Sequence, residues 1–160
     1  MMKKLLTIML LSCVPYLNYC QEVSDLELKA LFTAVIVENM DTSIVWYSKI
    51  LGFEVLNKID MMEERGFKQS NLKKGETLLE LIELSRAVNP QEAIPDYNSK
   101  TRLQGFFKIG FRVINFQSWM DHFNNSKIDF YGGIVNDPIS GKQMVIITDP
   151  DGNRIQIFEK

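Results

Sequence analysis

The chain has 160 residues, of which 46% are hydrophobic, 11% aromatic and 24% charged, the proportions of a folded globular domain rather than a disordered or fibrous one. Its 18 Lys+Arg against 20 Asp+Glu leave a net charge of -2, and no Lys/Arg run is longer than two, which argues against nucleic acid as a partner. The single histidine, His122, excludes any site that needs two imidazoles, most zinc hydrolase centres among them.

Residues 1–20 read as a signal peptide rather than part of the fold. Met1-Met2-Lys3-Lys4 supplies a positive start, and the apolar run from Leu5 to Leu11 is too short to cross roughly 30 Å of hydrocarbon but suits a signal-peptide core. Two endings stay open. Cleavage after Tyr19-Cys20 makes Gln21 the new N-terminus and residues 21–30 a linker, whereas Leu10-Leu11-Ser12-Cys13 resembles a bacterial lipoprotein box with a lipid anchor on Cys13. Either way the protein is expected to be exported, periplasmic or secreted. The competing reading, a buried N-terminal helix, fits poorly with the Lys-Lys start and the abrupt change to Gln21-Glu22-Val23-Ser24-Asp25. Cleavage after Cys20 takes Lys3 and Lys4 from the 18 basic side chains, leaving 16 against 20 acidic ones and a net charge of -4. It also removes Cys13 and Cys20, so the mature domain is expected to have neither a disulfide nor a cysteine nucleophile. No later stretch approaches the length of an apolar membrane span.

Leu31 to Val37 alternate and are rich in β-formers, which predicts a strand. Asp41-Thr42-Ser43 offers an N-cap, and Ile44, Val45, Tyr47, Ile50 and Leu51 recur at helical spacing until Gly52 stops the helix. Strands are predicted at Phe53 to Ile59, Gly66 to Leu72 and Thr77 to Leu84, with Lys73-Lys74-Gly75-Glu76 turning the chain between the last two. Residues 31–84 thus form one β-α-β-β-β module. Residues 85–104, polar and carrying Pro90 and Pro95, form an inter-module loop long enough to suggest a role of its own. The pattern returns over residues 105–160, with strands at Phe106 to Val113, Ile128 to Val135, Lys142 to Ile147 and Arg154 to Phe158, and a helix at Phe116 to Asn124. One offset of 76 residues aligns Val37-Glu38-Asn39 with Val113-Ile114-Asn115, Trp46-Tyr47 with His122-Phe123, and Leu79 to Glu83 with Ile155 to Glu159. Three coincidences at one offset, each in the same kind of element, indicate a duplicated module.

The strand-Val-x-Asn-helix opening and the segment Trp46-Tyr47-Ser48-Lys49-Ile50-Leu51-Gly52-Phe53 resemble the vicinal oxygen chelate (VOC) superfamily of glyoxalases, extradiol dioxygenases and bleomycin- and fosfomycin-resistance proteins. The closing Asp149-Pro150-Asp151-Gly152-Asn153-Arg154-Ile155-Gln156-Ile157 is similar to that family's C-terminal signature. The resemblance covers residues 28–160 and implies an α+β fold, with two tandem βαβββ modules forming a curved mixed sheet around a cavity and helices on the outer face. The Asp-Pro-Asp-Gly segment itself reads as a turn, because Pro150 fixes φ while Asp151 and Gly152 tolerate the left-handed region. That structural role outweighs a catalytic one.

The resemblance further implies divalent-metal ligands on the first and last strand of each module. Seven residues before Asn39 and Asn115 these positions hold Phe32 and Lys108, and on the last strands they hold Glu80 and Gln156. Phe32 has no donor atom and Lys108 is a cation at neutral pH. One carboxylate and one neutral amide oxygen do not hold a divalent ion tightly, so no metal and no other cofactor is expected. Strand alternation turns Phe32, Glu80, Lys108, Arg112, Gln156 and Phe158 toward the cavity as candidate ligand-binding residues, with Ala34, Ile36, Leu78, Ile82, Gly110 and Arg154 beside them. Lys108 is expected to pair with Glu80, either standing in for the metal cation or as an ion pair that only stabilises the fold, and these two are also the candidate acid and base. His122, on the second helix, is expected to be structural or at the surface. Two function classes follow. One is an exported, metal-independent binder of a small organic molecule, like the bleomycin-resistance branch. The other is a glyoxalase-like lyase or isomerase, or a dioxygenase-related enzyme, with a divergent site. Either the intrachain module pair or a homodimer closes the cavity.

Overall fold

Alternation along Thr33–Val37 (β1) buries Val35 and Val37 on one side and leaves Ala34 and Ile36 on the open side. The computed structural model describes residues 29–62, 66–98, 100–101 and 103–160; the expected signal peptide, the lipid-anchor position Cys13 and Cys20 lie outside the described residues. After β1 the chain enters a helix at Met40–Leu51 (α1) whose N-cap is Asn39, its side-chain oxygen accepting from the Thr42 N–H at 2.9 Å. The cap thus lies ahead of the predicted Asp41-Thr42-Ser43. Asp41 falls in the first turn, where its charge suits the positive end of the helix dipole, and Ser43 is buried. Gly52 ends α1 as predicted, in the left-handed conformation with φ 71° and its N–H donated back to Ser48.

Three antiparallel strands follow, Glu54–Met62 (β2), Phe67–Lys74 (β3) and Thr77–Leu84 (β4). The sheet order is β1-β4-β3-β2, with β1 parallel to β4 and Ala34 opposite Glu80. The inter-module loop contains a short helix, Pro90–Ala93 (α2), started by the Asn89 side chain and by proline at its first position. The second module repeats the plan with Ile109–Val113 (β5), Phe116–Asn125 (α3), Val135–Asn136 (β6), Gln143–Thr148 (β7) and Arg154–Glu159 (β8). Its sheet order is β5-β8-β7-β6, with β5 parallel to β8 and Gly110 opposite Gln156. The identical strand order in both halves is the duplication written in hydrogen bonds.

Two predicted strands are shorter than the sequence suggested. The strand expected from Phe106 begins only at Ile109. The one expected over 128–135 survives as β6 and an isolated bridge between Phe130 and Ile147. Gly132-Gly133 interrupts it, since Gly132 takes φ 89°, outside the extended region.

Buried apolar side chains from both modules form one core, including Val37, Tyr47, Phe53 and Leu81 from the first and Val113, Phe123, Ile147 and Ile157 from the second. Tyr47 and Phe123 are fully buried, one on each helix, and each such aromatic contributes about 1.5–3 kcal/mol of burial. Phe53 and Phe111 bring their rings to 5.9 Å across the module boundary. Lys74, the last residue of β3, donates to the Leu51 carbonyl and places its ammonium 4.6 Å from the Trp119 ring.

Candidate functional site

The turn Asp149 to Asn153 ties the two modules together. Asp149 is buried, and its carboxylate accepts four hydrogen bonds. The Tyr47 hydroxyl and the Asn153 amide donate to one oxygen, each at 2.9 Å. The backbone N–H groups of Asp151 and Asn153 donate to the other at 3.0 and 2.8 Å. Gly152 completes the reversal with φ 80°. Burial, and then the neighbouring Asp149 carboxylate, push the Tyr47 hydroxyl far above its ordinary pKa, so it stays a neutral donor. Asp151 turns its own carboxylate to the first module, accepting from the Glu38 N–H at 3.2 Å and the Ser43 hydroxyl at 3.4 Å. Burial raises its pKa, and the bonds from Glu38 and Ser43 only partly offset this.

One side of this turn forms part of a cavity of about 410 Å³. Ala34 and Ile36 of β1 face it, the inter-module loop contributes Tyr97 and Leu103, the segment leading into β5 contributes Phe106 and Phe107, and Lys108 and Arg154 supply cations. Strand alternation along β8 places Arg154 on the same side as Gln156, away from the core. Its guanidinium carbon lies 4.7 Å from the centre of the Phe107 ring and 4.3 Å from that of Tyr131. The Arg154 Nε is buried without a hydrogen-bond partner. Lys108 approaches the same Phe107 ring, its ammonium 5.8 Å from the centroid.

The sequence-derived candidates do not gather around this cavity. Lys108 lines it, and Arg154, placed inward by the same alternation, joins it. Phe32, 55% exposed, precedes β1 and lies outside its lining. Glu80 stands on the open face of β4, and Gln156 and Phe158 on that of β8 opposite Gly110 and the exposed Arg112. Alternation thus assigned their face of the sheet but not the cavity. The expected Lys108–Glu80 pair does not form. Glu80 accepts instead from the amide of Gln69, its diagonal neighbour across β3 and β4. Lys108 directly precedes β5, in the other module, and among the described residues it has no ion-pair partner. Sequence reading also missed Tyr131 and Phe107, which hold Arg154 between them. The only available signal was their aromatic character in segments predicted as ordinary strand.

The four positions implied to hold a metal do not fit one. Phe32 offers no donor, Lys108 is cationic, the Glu80 carboxylate is engaged by Gln69, and the Gln156 amide nitrogen lies 2.6 Å from the Met144 sulfur. No group of three or more His, Cys, Asp and Glu among the described residues is placed to hold a metal ion. His122 packs structurally, its Nε2 3.0 Å from the Ile50 carbonyl and its ring against Trp119 and Phe123. A smaller recess of about 240 Å³ lies beside it, lined by Lys49, Lys74 and Trp119, and burial lowers the Lys74 pKa there. No helix among the described residues is long and apolar enough to cross a membrane.

A family model, Glyoxalase/Bleomycin resistance protein/Dioxygenase superfamily, matches residues 29–157. No curated protein matches the chain significantly. Among solved structures, a glyoxalase family protein from Enterococcus faecalis superposes with a TM-score of 0.68 at 24% identity, over 82% of this chain and 97% of that one. A glyoxylase/bleomycin resistance protein/dioxygenase domain from Frankia sp. EAN1pec gives 0.65 at 15% identity, over 84% and 93%. Lactoylglutathione lyase from Agrobacterium tumefaciens gives 0.57 at 19% identity, over 84% and 96%. At these identities the likeness is one of fold.

Proposed function

Because the chain belongs to the Glyoxalase/Bleomycin resistance protein/Dioxygenase superfamily, we propose that it uses the paired-module fold to bind a small organic molecule without a divalent metal. The observation that supports this reading is the cavity of about 410 Å³, in which aromatic and aliphatic side chains alternate with polar and charged ones, Lys108 and Arg154 among them. That is within the size range of a small-molecule site, with charged groups available to fix a ligand's orientation. The donor set at the four implied ligand positions supports metal independence. It offers one carboxylate already engaged by a neighbour, one amide, one cation and one hydrocarbon ring. The positively charged start and short apolar run of residues 1–20 support export of this binder, to the periplasm or beyond, as a cleaved or Cys13-anchored protein.

Elemental analysis of the purified protein, after incubation with zinc, nickel, manganese and iron salts, tests the metal half of the proposal, with substoichiometric metal as the expected result. A thermal-shift screen of small organic molecules tests the binding half. A ligand at a hundred times its Kd stabilises the folded state by about 2.7 kcal/mol, enough for a clear rise in Tm. Stoichiometric metal lost on Glu80→Gln would overturn the reading in favour of a lyase or dioxygenase-related enzyme.

A further inference from the structure

We infer that the cavity takes an aromatic carboxylate, its ring against the apolar wall and its charge met by Arg154 and Lys108. This rests on the small-molecule reading above and narrows it to one ligand chemistry. A guanidinium has five N–H donors and no acceptor, and a buried donor without a partner is costly. Arg154 is in that position, with its Nε buried and unbonded and no acidic side chain paired with it among the described residues. The rings of Phe107 and Tyr131, 4.7 and 4.3 Å from its guanidinium carbon, stabilise the charge, but neither ring replaces an acceptor for its N–H groups. A guanidinium beside aromatic rings can still present its terminal N–H groups to a planar carboxylate, which accepts two parallel bonds.

The second cation of the cavity sits over the same aromatic ring and is likewise without an ion pair. The acid in the lining, Asp151, makes no ion pair with either cation and turns its oxygens to the Glu38 N–H and the Ser43 hydroxyl. Among the described residues the two cations of the cavity are therefore not ion-paired, against one carboxylate in its lining. Part of its wall is exposed apolar surface, with Phe106 78% exposed, Ile36 51% exposed, and Tyr97 and Leu103 alongside. A bare inorganic anion would leave that wall wet, and a neutral aromatic would leave Arg154 unmet. A molecule combining a ring with a carboxylate satisfies both.

Isothermal titration of the full chain with 2-naphthoate, 2-naphthalenemethanol and inorganic phosphate separates these terms. The expected order is naphthoate first, with the alcohol and phosphate each weaker by about tenfold or more. Arg154→Gln should erase the preference for the carboxylate over the alcohol. Arg154→Lys, which keeps the charge but not the fork, should weaken naphthoate by about tenfold. Lys108→Gln provides an independent variant away from the stacked guanidinium, expected to give a smaller loss and a weaker salt dependence. Equal binding of naphthoate and the alcohol would overturn the anion assignment while leaving the cavity reading intact. Phosphate matching naphthoate would overturn the aromatic part. Binding of none of the three would overturn both this inference and the reading on which it rests.

Discussion

The bond from the Tyr47 hydroxyl to Asp149 spans 102 residues of sequence and lies in the interior. From the sequence Tyr47 is a helix residue at core spacing, and the burial of its ring follows from that pattern alone. Its hydroxyl does not, because nothing local indicates that a carboxylate from the far end of the chain will meet it. Tyr47→Phe keeps the ring and removes one of the four donors to Asp149. Hydrogen bonds to charged groups are worth about 1.5–3 kcal/mol, so this variant should lose stability in that range, read as a lower urea midpoint with an unchanged m-value. A midpoint equal to that of the parent would show that the three other donors suffice. The expected Lys108–Glu80 pair failed at the same scale for a related reason. Strand alternation tells which face a side chain takes, but Gln69, two strands away from β1, decides what Glu80 bonds to.

Local punctuation predicted some elements well and others poorly. Gly52 marked the end of α1 because the chain there needs a left-handed residue, at φ 71°. A side chain at this position would be strained, and its Cβ would come within 2.9 Å of the Lys74 ammonium. Gly52→Ala is expected to cost about 1–2 kcal/mol from the backbone alone, measurable as a drop in Tm. Displacing Lys74 would also disturb its contact with Trp119 across the module boundary. The sequence was less informative over 128–135, where apolar and aromatic residues suggested a continuous strand. Gly132-Gly133 overrides that propensity and leaves a two-residue β6. In the inter-module loop, Asn89 and Pro90 carried a helix-start signal, but α2 is too short to show periodicity.

Across the whole molecule, the duplicated architecture was legible because one offset aligned three separate elements, and hydrophobic periodicity survives even where strand ends shift. The cavity was not legible, since it is assembled from the inter-module loop, β1 and the turn before β8, three segments with no common sequence pattern. Acid sensitivity is also a property of the whole fold. The Glu83 carboxylate accepts from the Met40 N–H and the Lys68 ammonium, each at 2.7 Å, joining β4 and β3 to the start of α1. Burial alone would raise its pKa, but these two partners together hold it below the ordinary value of 4.5. Its contribution is therefore present above 4.5 and is lost as pH falls through the depressed folded value. Asp151, raised above 3.8, acts in the opposite sense, stabilising the acid form and losing that contribution as pH rises. Urea midpoints of the parent and Glu83→Gln should differ by about 1 kcal/mol at neutral pH and converge in acid. Parallel curves would show that Glu83 carries none of the acid sensitivity.

The turn from Asp149 to Asn153 is shared property. Its inner side fastens the second module to α1 through Tyr47, and its outer side is a wall of the cavity. On the proposed binding reading, cohesion of the halves and occupancy of the cavity would share the same few peptide units, and linkage would make any coupling between them reciprocal. A guest that holds this turn still would tighten the join between the modules, and a chain whose join is loosened would release its guest more readily. The fused duplication thus gives each half a stake in what the other holds.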